Sequence, residues 1–280
     1  SGGRGGKSIS RLAVALMIGG VLLVLLCALS FAVGSRMFAL DRSIDGFLHP
    51  EANTIESKLI WAKRAPRTAA ALLVGAALAV SGVLMQALSR NPLAEPGLMG
   101  VNAGAAVAVI ASVVVFGVMG IWQYMVAATI GGALAAVLVY TLGRGRDGSI
   151  VKLALAGVAI SAALSAIAQG LILADQDAYN EFRVWVAGSL EGRGMDIAST
   201  VGPVIVLGVL VAFFVAPAIN ALSMGEEAAT SLGVSVRTTQ NLTLLAVTVL
   251  AGAATAAVGP IGFVGLAVPF VVRALLGNDV

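Results

Sequence analysis

Charged residues that could do chemistry lie outside the long apolar runs of this 280-residue chain, and one group falls in the stretch Ser223–Val236. Ser223 and Glu226 have the spacing of a capping box, in which each side chain bonds to the backbone of the other residue. Glu227 adds negative charge to the first turn, close to the positive end of the helix dipole. Gly233 is typical of the residue that follows the end of a helix. The pattern predicts a capped helix of about two and a half turns, at ~3.6 residues per turn.

One face of this short helix is expected to carry Ala228, Ala229 and Leu232. A helix of this length is marginal in water on its own, so we expect it to be packed against something. Small side chains would let the surface of a partner approach the backbone. The residues expected to form the contact are Gly225, Glu226, Glu227, Ala228, Ala229, Leu232 and Gly233. An ordinary capped connector is the alternative interpretation.

A second charged group consists of Lys63, Arg64 and Arg67, at the end of a connector that begins at Gly34. Three cations so close to the start of an apolar run predict a docking patch for acidic groups of a partner. The alternative is that their long side chains reach up to lipid headgroups.

Patterns for catalysis, metal binding and nucleic-acid binding are missing from the sequence. His49 is the only histidine and Cys27 the only cysteine, and neither belongs to a nucleophile–base pair or to a metal-ligand cluster. The 17 Lys and Arg residues that give a net charge of +3 are spread over the loops. They form no basic stripe with interleaved aromatic residues. We therefore expect no catalytic residue, metal, cofactor or nucleic acid on this chain.

The composition predicts a membrane protein, because hydrophobic residues make up 59% of the chain and charged residues only 11%, with a mean hydropathy of +1.00. Soluble proteins contain about 25% charged residues. Apolar runs of at least ~18 residues recur without the alternation of barrel strands, which predicts an all-α polytopic bundle. About eight spans are expected: Leu12–Val33, Thr68–Leu88, Val101–Met119, Trp122–Leu142, Leu153–Ala174, Thr200–Ala218, Leu242–Val258 and the shorter Ile261–Val272.

The basic segment 1–11 before the first span predicts a cytoplasmic tail and a cytoplasmic N-terminus, which puts residues 223–236 on the cytoplasmic side as well. No predicted span contains Asp, Glu, Lys, Arg or His. Carriers driven by protons or ions usually keep an ionisable group or a broken-helix ion site near the middle of the membrane. We therefore expect the energy for any transport to come from elsewhere.

A faint internal repeat joins Gly75–Gly82 and Gly252–Gly259, which share the pattern G-A-A-x-A-x-x-G. The two copies lie five spans apart and run in opposite directions, as in transporters built from inverted repeats. Close helix packing by small residues explains each copy separately. The residues expected to lie at such packing contacts or along a transport path are Gly75, Gly82, Gln86, Asn91, Pro92, Gly252, Gly259 and Pro260.

Five motifs, in order along the chain, resemble the FecCD family of permease subunits of bacterial ABC importers for iron–siderophore complexes, haem and cobalamin. The resemblance runs from about residue 60 to the C-terminus. The motifs span Arg64–Gln86, Asn91–Ala105, Trp185–Leu190, Gly225–Val234 and Gly259–Pro269.

The resemblance implies ten helices per subunit and a dimer with an identical or related second permease subunit, with the substrate passing along their interface. It implies that residues 223–236 are the coupling helix region, seated on one of two cytoplasmic ATPase subunits, which bind ATP and Mg. Arg64 and Arg67 match the R-x-P-R of the family, whose arginines pair with an extracellular or periplasmic substrate-binding protein.

We therefore expect residues 1–280 to form a single permease domain in the bacterial cytoplasmic membrane, without the last two spans of a typical family member. An iron–siderophore complex is the expected substrate because it is the commonest assignment in the family. Haem and cobalamin are the alternatives, which the motifs do not separate. A non-transporting membrane scaffold or sensor subunit is the alternative from another class, motivated by the absent spans.

Overall fold

Helices are the only elements longer than a turn in the computed structural model, which describes residues 3–34, 37–52, 54–117, 120–143, 150–190 and 194–276. Short 3-10 turns lie at Pro50–Ala52 and Pro96–Met99, and a π-helical turn at Ile60–Arg64. The α-helices are α1 (Gly3–Ala32), α2 (Leu40–Leu48), α3 (Ile55–Leu59), α4 (Ala65–Ser89), α5 (Val101–Phe116), α6 (Ile121–Gly143), α7 (Ile150–Ala174), α8 (Gln176–Val186), α9 (Met195–Ser223), α10 (Glu226–Ser231), α11 (Val236–Val258) and α12 (Val264–Leu276).

Six of the helical segments in the described part of the chain are long and apolar enough to cross a membrane. The predicted third and eighth spans correspond to shorter apolar helices, α5 and α12. The 16 residues of α5 extend about 24 Å at ~1.5 Å per residue, less than the ~30 Å of the hydrocarbon layer. This helix ends at Phe116, before the predicted Met119, because Gly117 leaves the helical conformation with a φ of 78°.

Several helices continue beyond the predicted apolar spans. The first helix begins at Gly3, so the segment expected to be a basic tail is helical from that residue onward. The predicted sixth span extends from Met195 to Ser223 and contains two prolines. The polar connector before it contains α8, whose first turn is capped by Asp175: its carboxylate accepts a hydrogen bond from the Ala178 amide at 2.8 Å.

The chain divides into two compact units, and the first comprises residues 1–72, 190–198 and 271–279. The connector expected between the first two spans folds within this unit into α2 and α3. Thr54 caps α3 by accepting a hydrogen bond from the Ser57 amide at 3.1 Å. The π-helical turn follows α3 and leads without a break into α4, so a single 35-residue helical segment runs from Ile55 to Ser89.

The second unit comprises residues 73–189 and 199–270. Its core is an apolar cluster to which α4, α5, α6, α7, α9 and α11 all contribute. The helices α5 and α6 approach closely at Gly104 and Gly131, where a side chain on either residue would clash with the carbonyl oxygen of the other. Such contacts between small residues are the usual way in which membrane helices pack.

Candidate functional site

The predicted contact helix, α10, begins later than the capping box indicates. Ser223 is the last residue of α9, and its hydroxyl donates to the carbonyl of Asn220 at 2.6 Å. The N-cap of α10 is Gly225, with a φ of 121° and no side-chain hydrogen bond. The capping box was therefore wrong, because the serine is used by the preceding helix. The helix has six residues, fewer than two turns.

The C-terminal end of α10 confirms the predicted stop. Gly233 adopts a φ of 80°. The amide of Val234 donates to the carbonyl of Ala229 at 3.0 Å, and the amide of Gly233 donates to that of Thr230 at 2.9 Å. These two bonds make a Schellman motif. Val234 also packs against the apolar cluster that contains Ala229, so the end of the helix is fixed by both hydrogen bonds and burial.

The residues expected to share one face of α10 point in two directions. Ala229 is 0% exposed and packs against Ala221 and Leu222 in the last turn of α9. Ala228 is exposed, and Leu232 is 65% exposed. The prediction of a single face was therefore wrong for Ala229. This alanine fastens α10 to its own chain, whereas Ala228 and Leu232 form an exposed surface, which we call the coupling surface, with Glu226 and Glu227 exposed beside it.

A hydrogen bond joins the end of α9 to the loop between α4 and α5. Nη2 of Arg90 donates to the carbonyl oxygen of Leu222 at 2.5 Å. A cation is favourable at the C-terminus of a helix, where the last carbonyl groups have no partner within the helix. Arg90 itself has a φ of 50°, which is uncommon for a residue other than glycine. The residue that packs on Ala229 thus also accepts a hydrogen bond from this loop.

The same loop is held to the start of α12. Asn91 Oδ1 accepts a hydrogen bond from the Leu93 amide at 2.9 Å, which closes a tight turn around Pro92. Glu95 Oε1 then accepts from the amide of Phe263 at 3.1 Å, one residue before α12. Phe263 has a φ of 67°. The loop between α4 and α5 therefore contacts the end of α9 at one side and the beginning of α12 at the other.

Two of the predicted packing residues in α4 lie against α12. A side chain at Gly82 would clash with the backbone of Gly265. Gln86 is buried, and its Nε2 donates to the carbonyl of Leu266 at 3.3 Å. By contrast, a side chain at Gly75 would meet nothing within 4 Å, so this glycine makes no close packing contact within the described residues, and its place along a transport path stays a prediction.

The second copy of the repeat has one close contact, at Gly259, and one ordinary contact, at Gly252. A side chain at Gly259, whose φ is 83°, would clash with the carbonyl oxygen of Trp185. The amide of Ser189 donates to the carbonyl of Val258 at 2.9 Å, so the turn after α8 lies against the end of α11, next to Pro260. At Gly252 an added Cβ would lie 3.8 Å from Val101, an ordinary contact.

The basic cluster at the start of α4 is split between surface and interior. Lys63 and Arg67 are exposed, whereas Arg64 is only 7% exposed. The guanidinium of Arg64 donates to the carbonyl of Phe31 and lies 4.7 Å from the centre of the Phe38 ring. The prediction of one exposed patch was therefore wrong for Arg64, because this side chain is used to hold the end of α1.

Arg90 and Glu95 were missed as site residues, although both fall in or beside a motif that carries the family resemblance. The available signal was their position: two charged residues that flank an Asn-Pro pair directly after a span. A third missed residue, Asn102, accepts a hydrogen bond from the hydroxyl of Thr255 at 2.8 Å through its Oδ1 atom. It joins α5 to α11 within the second unit.

Comparison with known proteins identifies the family. Residues 22–280 match the FecCD transport family. The chain belongs to this family. It is 40% identical over 262 residues to the ferric enterobactin transport system permease protein FepD of Escherichia coli (strain K12), across 92% of this chain and 78% of FepD. It is 38% identical over 271 residues to the hemin transport system permease protein HmuU of Yersinia pestis, across 93% of this chain and 79% of HmuU.

The fold of this FecCD member is also that of a solved transporter. A structure described as an inward-facing conformation of a metal-chelate type ABC transporter superposes with a TM-score of 0.83 at 25% identity, across 95% of this chain and 82% of the other. The resemblance expected from the five motifs is confirmed, and so is the all-helical membrane fold. The chain is a multi-pass permease subunit of an ABC importer and not itself an enzyme.

Proposed function

We propose that this subunit forms, with a second permease subunit, the membrane path through which an iron–siderophore complex enters a bacterial cell. The observation that carries the choice of substrate is the 40% identity with FepD over 92% of the chain, because FepD is named for ferric enterobactin. Haem is the second candidate, favoured by the 38% identity with HmuU. In this proposal ATP and Mg bind to two separate cytoplasmic ATPase subunits, and the N-terminus of the permease is cytoplasmic.

The coupling surface on α10 is the proposed contact with an ATPase subunit. Its support is geometric: Ala228 and Leu232 are exposed, and the neighbouring side of the helix is fixed to α9 through Ala229. A force applied at the coupling surface would be passed to the end of α9, because α10 is too short to bend independently of its buried contact.

From the end of α9 the displacement has a direct route to two other helices. The Leu222 carbonyl accepts the hydrogen bond of Arg90, which lies one residue after the end of α4. Glu95 continues the connection to Phe263 and α12. We propose that ATP-driven movement of α10 reaches α4 and α12 through these two polar contacts, with Arg90 as the first positioning residue.

Lys63 and Arg67 are the proposed docking residues for an extracellular or periplasmic substrate-binding protein. Both are exposed near the beginning of a span, where they can meet acidic groups of a protein that arrives from outside. Arg64 is proposed to support this site indirectly, since its guanidinium is engaged by Phe31 and Phe38.

The test of the substrate is transport by the reconstituted complex of both permease subunits, the ATPase subunits and the binding protein. We expect ATP-dependent accumulation of labelled iron–siderophore in proteoliposomes, and excess haem or cobalamin should not compete. Accumulation of haem without accumulation of the siderophore complex would replace the first candidate by the second. ATP hydrolysis without accumulation of any chelate would favour a non-transporting subunit.

A further inference from the structure

The short helix α2, in the connector after α1, has an apolar stripe that its own chain leaves uncovered. Leu40, Ile44 and Leu48 are 49%, 47% and 62% exposed. Residues four apart on a helix lie above one another on the same side. The three side chains therefore form one continuous stripe along the whole length of α2.

The other sides of α2 are used differently. Ser43 and Gly46 are buried, and an added Cβ at Gly46 would lie 3.0 Å from the backbone nitrogen of Ser57, so this side packs on α3. The charged residues Asp41, Arg42 and Asp45 are exposed on a third side. At about 100° per residue the order around the helix is buried side, apolar stripe, charged side. A helix with this order has protein on one side and water on another, and the stripe lies between them.

Aromatic stacking fixes α2 beside the ends of two spans. The ring of Phe47 stacks on that of Phe31, with 4.9 Å between centroids, and on that of Trp61, at 5.2 Å. Phe31 lies in the last turn of the first span, and Trp61 lies near the start of the next. Tryptophan side chains are enriched where spans leave the hydrocarbon layer. Trp61 and the span end at Phe31, both stacked on Phe47, therefore place α2 at the depth of the membrane–water boundary.

The stripe continues an apolar surface of a candidate span that the chain also leaves uncovered. In α1 the candidate span Ala13–Ala32 has no buried residue in its most apolar window, and Leu29 and Val33 at its end are exposed. Phe47 of α2 stacks on Phe31, which lies in the same turn of α1 as Leu29. The stripe of α2 therefore lies beside this span end and faces the same surroundings.

We propose that α2 is an interfacial helix whose stripe Leu40–Ile44–Leu48 inserts into the lipid surface at which α1 ends. Amphipathic helices of this kind lie in the plane of the membrane, with the apolar side ~5–10 Å into the boundary between headgroups and acyl chains. Two carboxylates and one guanidinium flank the stripe, so the contact rests on apolar insertion and not on attraction to anionic lipid. The helix anchors the connector that carries the basic residues at the start of α4.

Single fluorescent labels on α2 test the proposal in the full chain, assembled with its partner subunits. The native thiol is first removed by Cys27→Ala. Cysteines are then introduced one at a time as Leu40→Cys, Ile44→Cys and Leu48→Cys, with Asp41→Cys and Asp45→Cys as matched controls on the charged side of the same helix. All five positions are exposed, so the labels should not disturb packing. Each protein is labelled with bimane and reconstituted in phosphatidylethanolamine–phosphatidylglycerol vesicles containing brominated phosphatidylcholine.

We expect the labels at positions 40, 44 and 48 to lose fluorescence to the brominated lipid and to resist aqueous iodide. The labels at 41 and 45 should show the reverse, and the pattern should persist at high salt. Quenching of all five labels by iodide would overturn the proposal, because the stripe would then lie in water. Protection of the stripe from both quenchers would overturn it as well, since a protein surface would then cover it. ATPase activity measured in parallel shows that each labelled complex is assembled.

Discussion

Enlarging either of two neighbouring alanines in α10 should change stability by different amounts. Ala229 is fully buried against Ala221 and Leu222, whereas Ala228 is exposed on the coupling surface. In Ala229→Leu, three additional carbon atoms enter a packed contact, at a typical cost of ~1–3 kcal/mol. Ala228→Leu places the same atoms on an exposed side of the same helix, where substitutions usually change stability by no more than about 0.5 kcal/mol.

The free-energy cost of Ala229→Leu is sufficient to release α10 from α9. A cost of ~1–3 kcal/mol changes the equilibrium between attached and detached α10 about 5- to 150-fold. With six residues and no side-chain cap, the detached helix has little stability of its own. We therefore expect Ala229→Leu to accelerate amide hydrogen exchange at residues 225–234 in the isolated permease. The remaining helices should keep their protection, because α10 lies outside the spans.

The assay combines hydrogen exchange with pull-down of the ATPase subunit and with uptake of the iron chelate. Ala229→Leu should raise exchange and reduce uptake. Ala228→Glu should leave exchange unchanged but weaken the pull-down and uptake, since it places a charge where the partner approaches. The reasoning is refuted if Ala229→Leu exchanges and transports like the original protein. Full pull-down and full uptake with Ala228→Glu would show that α10 is only a connector.

Three further predictions test other contacts. Arg90→Gln, which removes the cation but keeps a donor, should lower uptake per ATP hydrolysed while the ATPase subunit still binds; an unchanged ratio would remove Arg90 from the coupling route. Charge reversal at Lys63 and Arg67 should slow association with the binding protein, most strongly at low salt, with little effect on ATPase activity measured without it; equal association rates would mark these residues as lipid anchors. Gly82→Ala should lower the stability of the permease in detergent by ~1–3 kcal/mol or more, measured by thermal unfolding, because the added Cβ would clash with backbone atoms. Gly75→Ala, the control, should be neutral or stabilising by up to about 1 kcal/mol.

The helical class of the fold and most spans could be predicted from sequence because both depend on uninterrupted apolar length, which is a local property. The C-terminal stop of α10 was predictable for the same reason, since a left-handed glycine and the bonds around it involve only neighbouring residues. The start of α10 was not predictable from its capping box. Whether Ser223 caps the second helix or completes the first depends on how far α9 extends, and α9 is stabilised by packing with distant helices.

For a related reason, the sequence could not predict that Ala228 is exposed and Ala229 buried. Helical spacing places the two residues next to each other but does not say which side of the helix faces the rest of the chain. That choice is made by Leu222 and Ala221, which present the apolar surface that α10 covers. Arg90 and Glu95 were missed because their partners, Leu222 and Phe263, are remote in sequence and offer backbone groups. A carbonyl or an amide gives no signal in an amino-acid pattern.

The two arginines of the R-x-P-R motif differ in burial, since Arg64 is buried and Arg67 is exposed. Arg64 and Arg67 were expected to act together because they cluster with Lys63 at the start of an apolar run and match the R-x-P-R of the family. The turn from Ile60 to Arg64 is π-helical, with the amide of Ala65 donating to the carbonyl of Ile60. This wider turn changes the angle between successive side chains, and π-helical turns of this kind are frequent at functional sites. Arg64, the last residue of this turn, contacts Phe31 and Phe38, while Arg67 in the following α-helix is exposed. Reversing the charge at Arg64 would therefore disturb the end of α1 as well as any docking, so only Lys63 and Arg67 can report on docking alone.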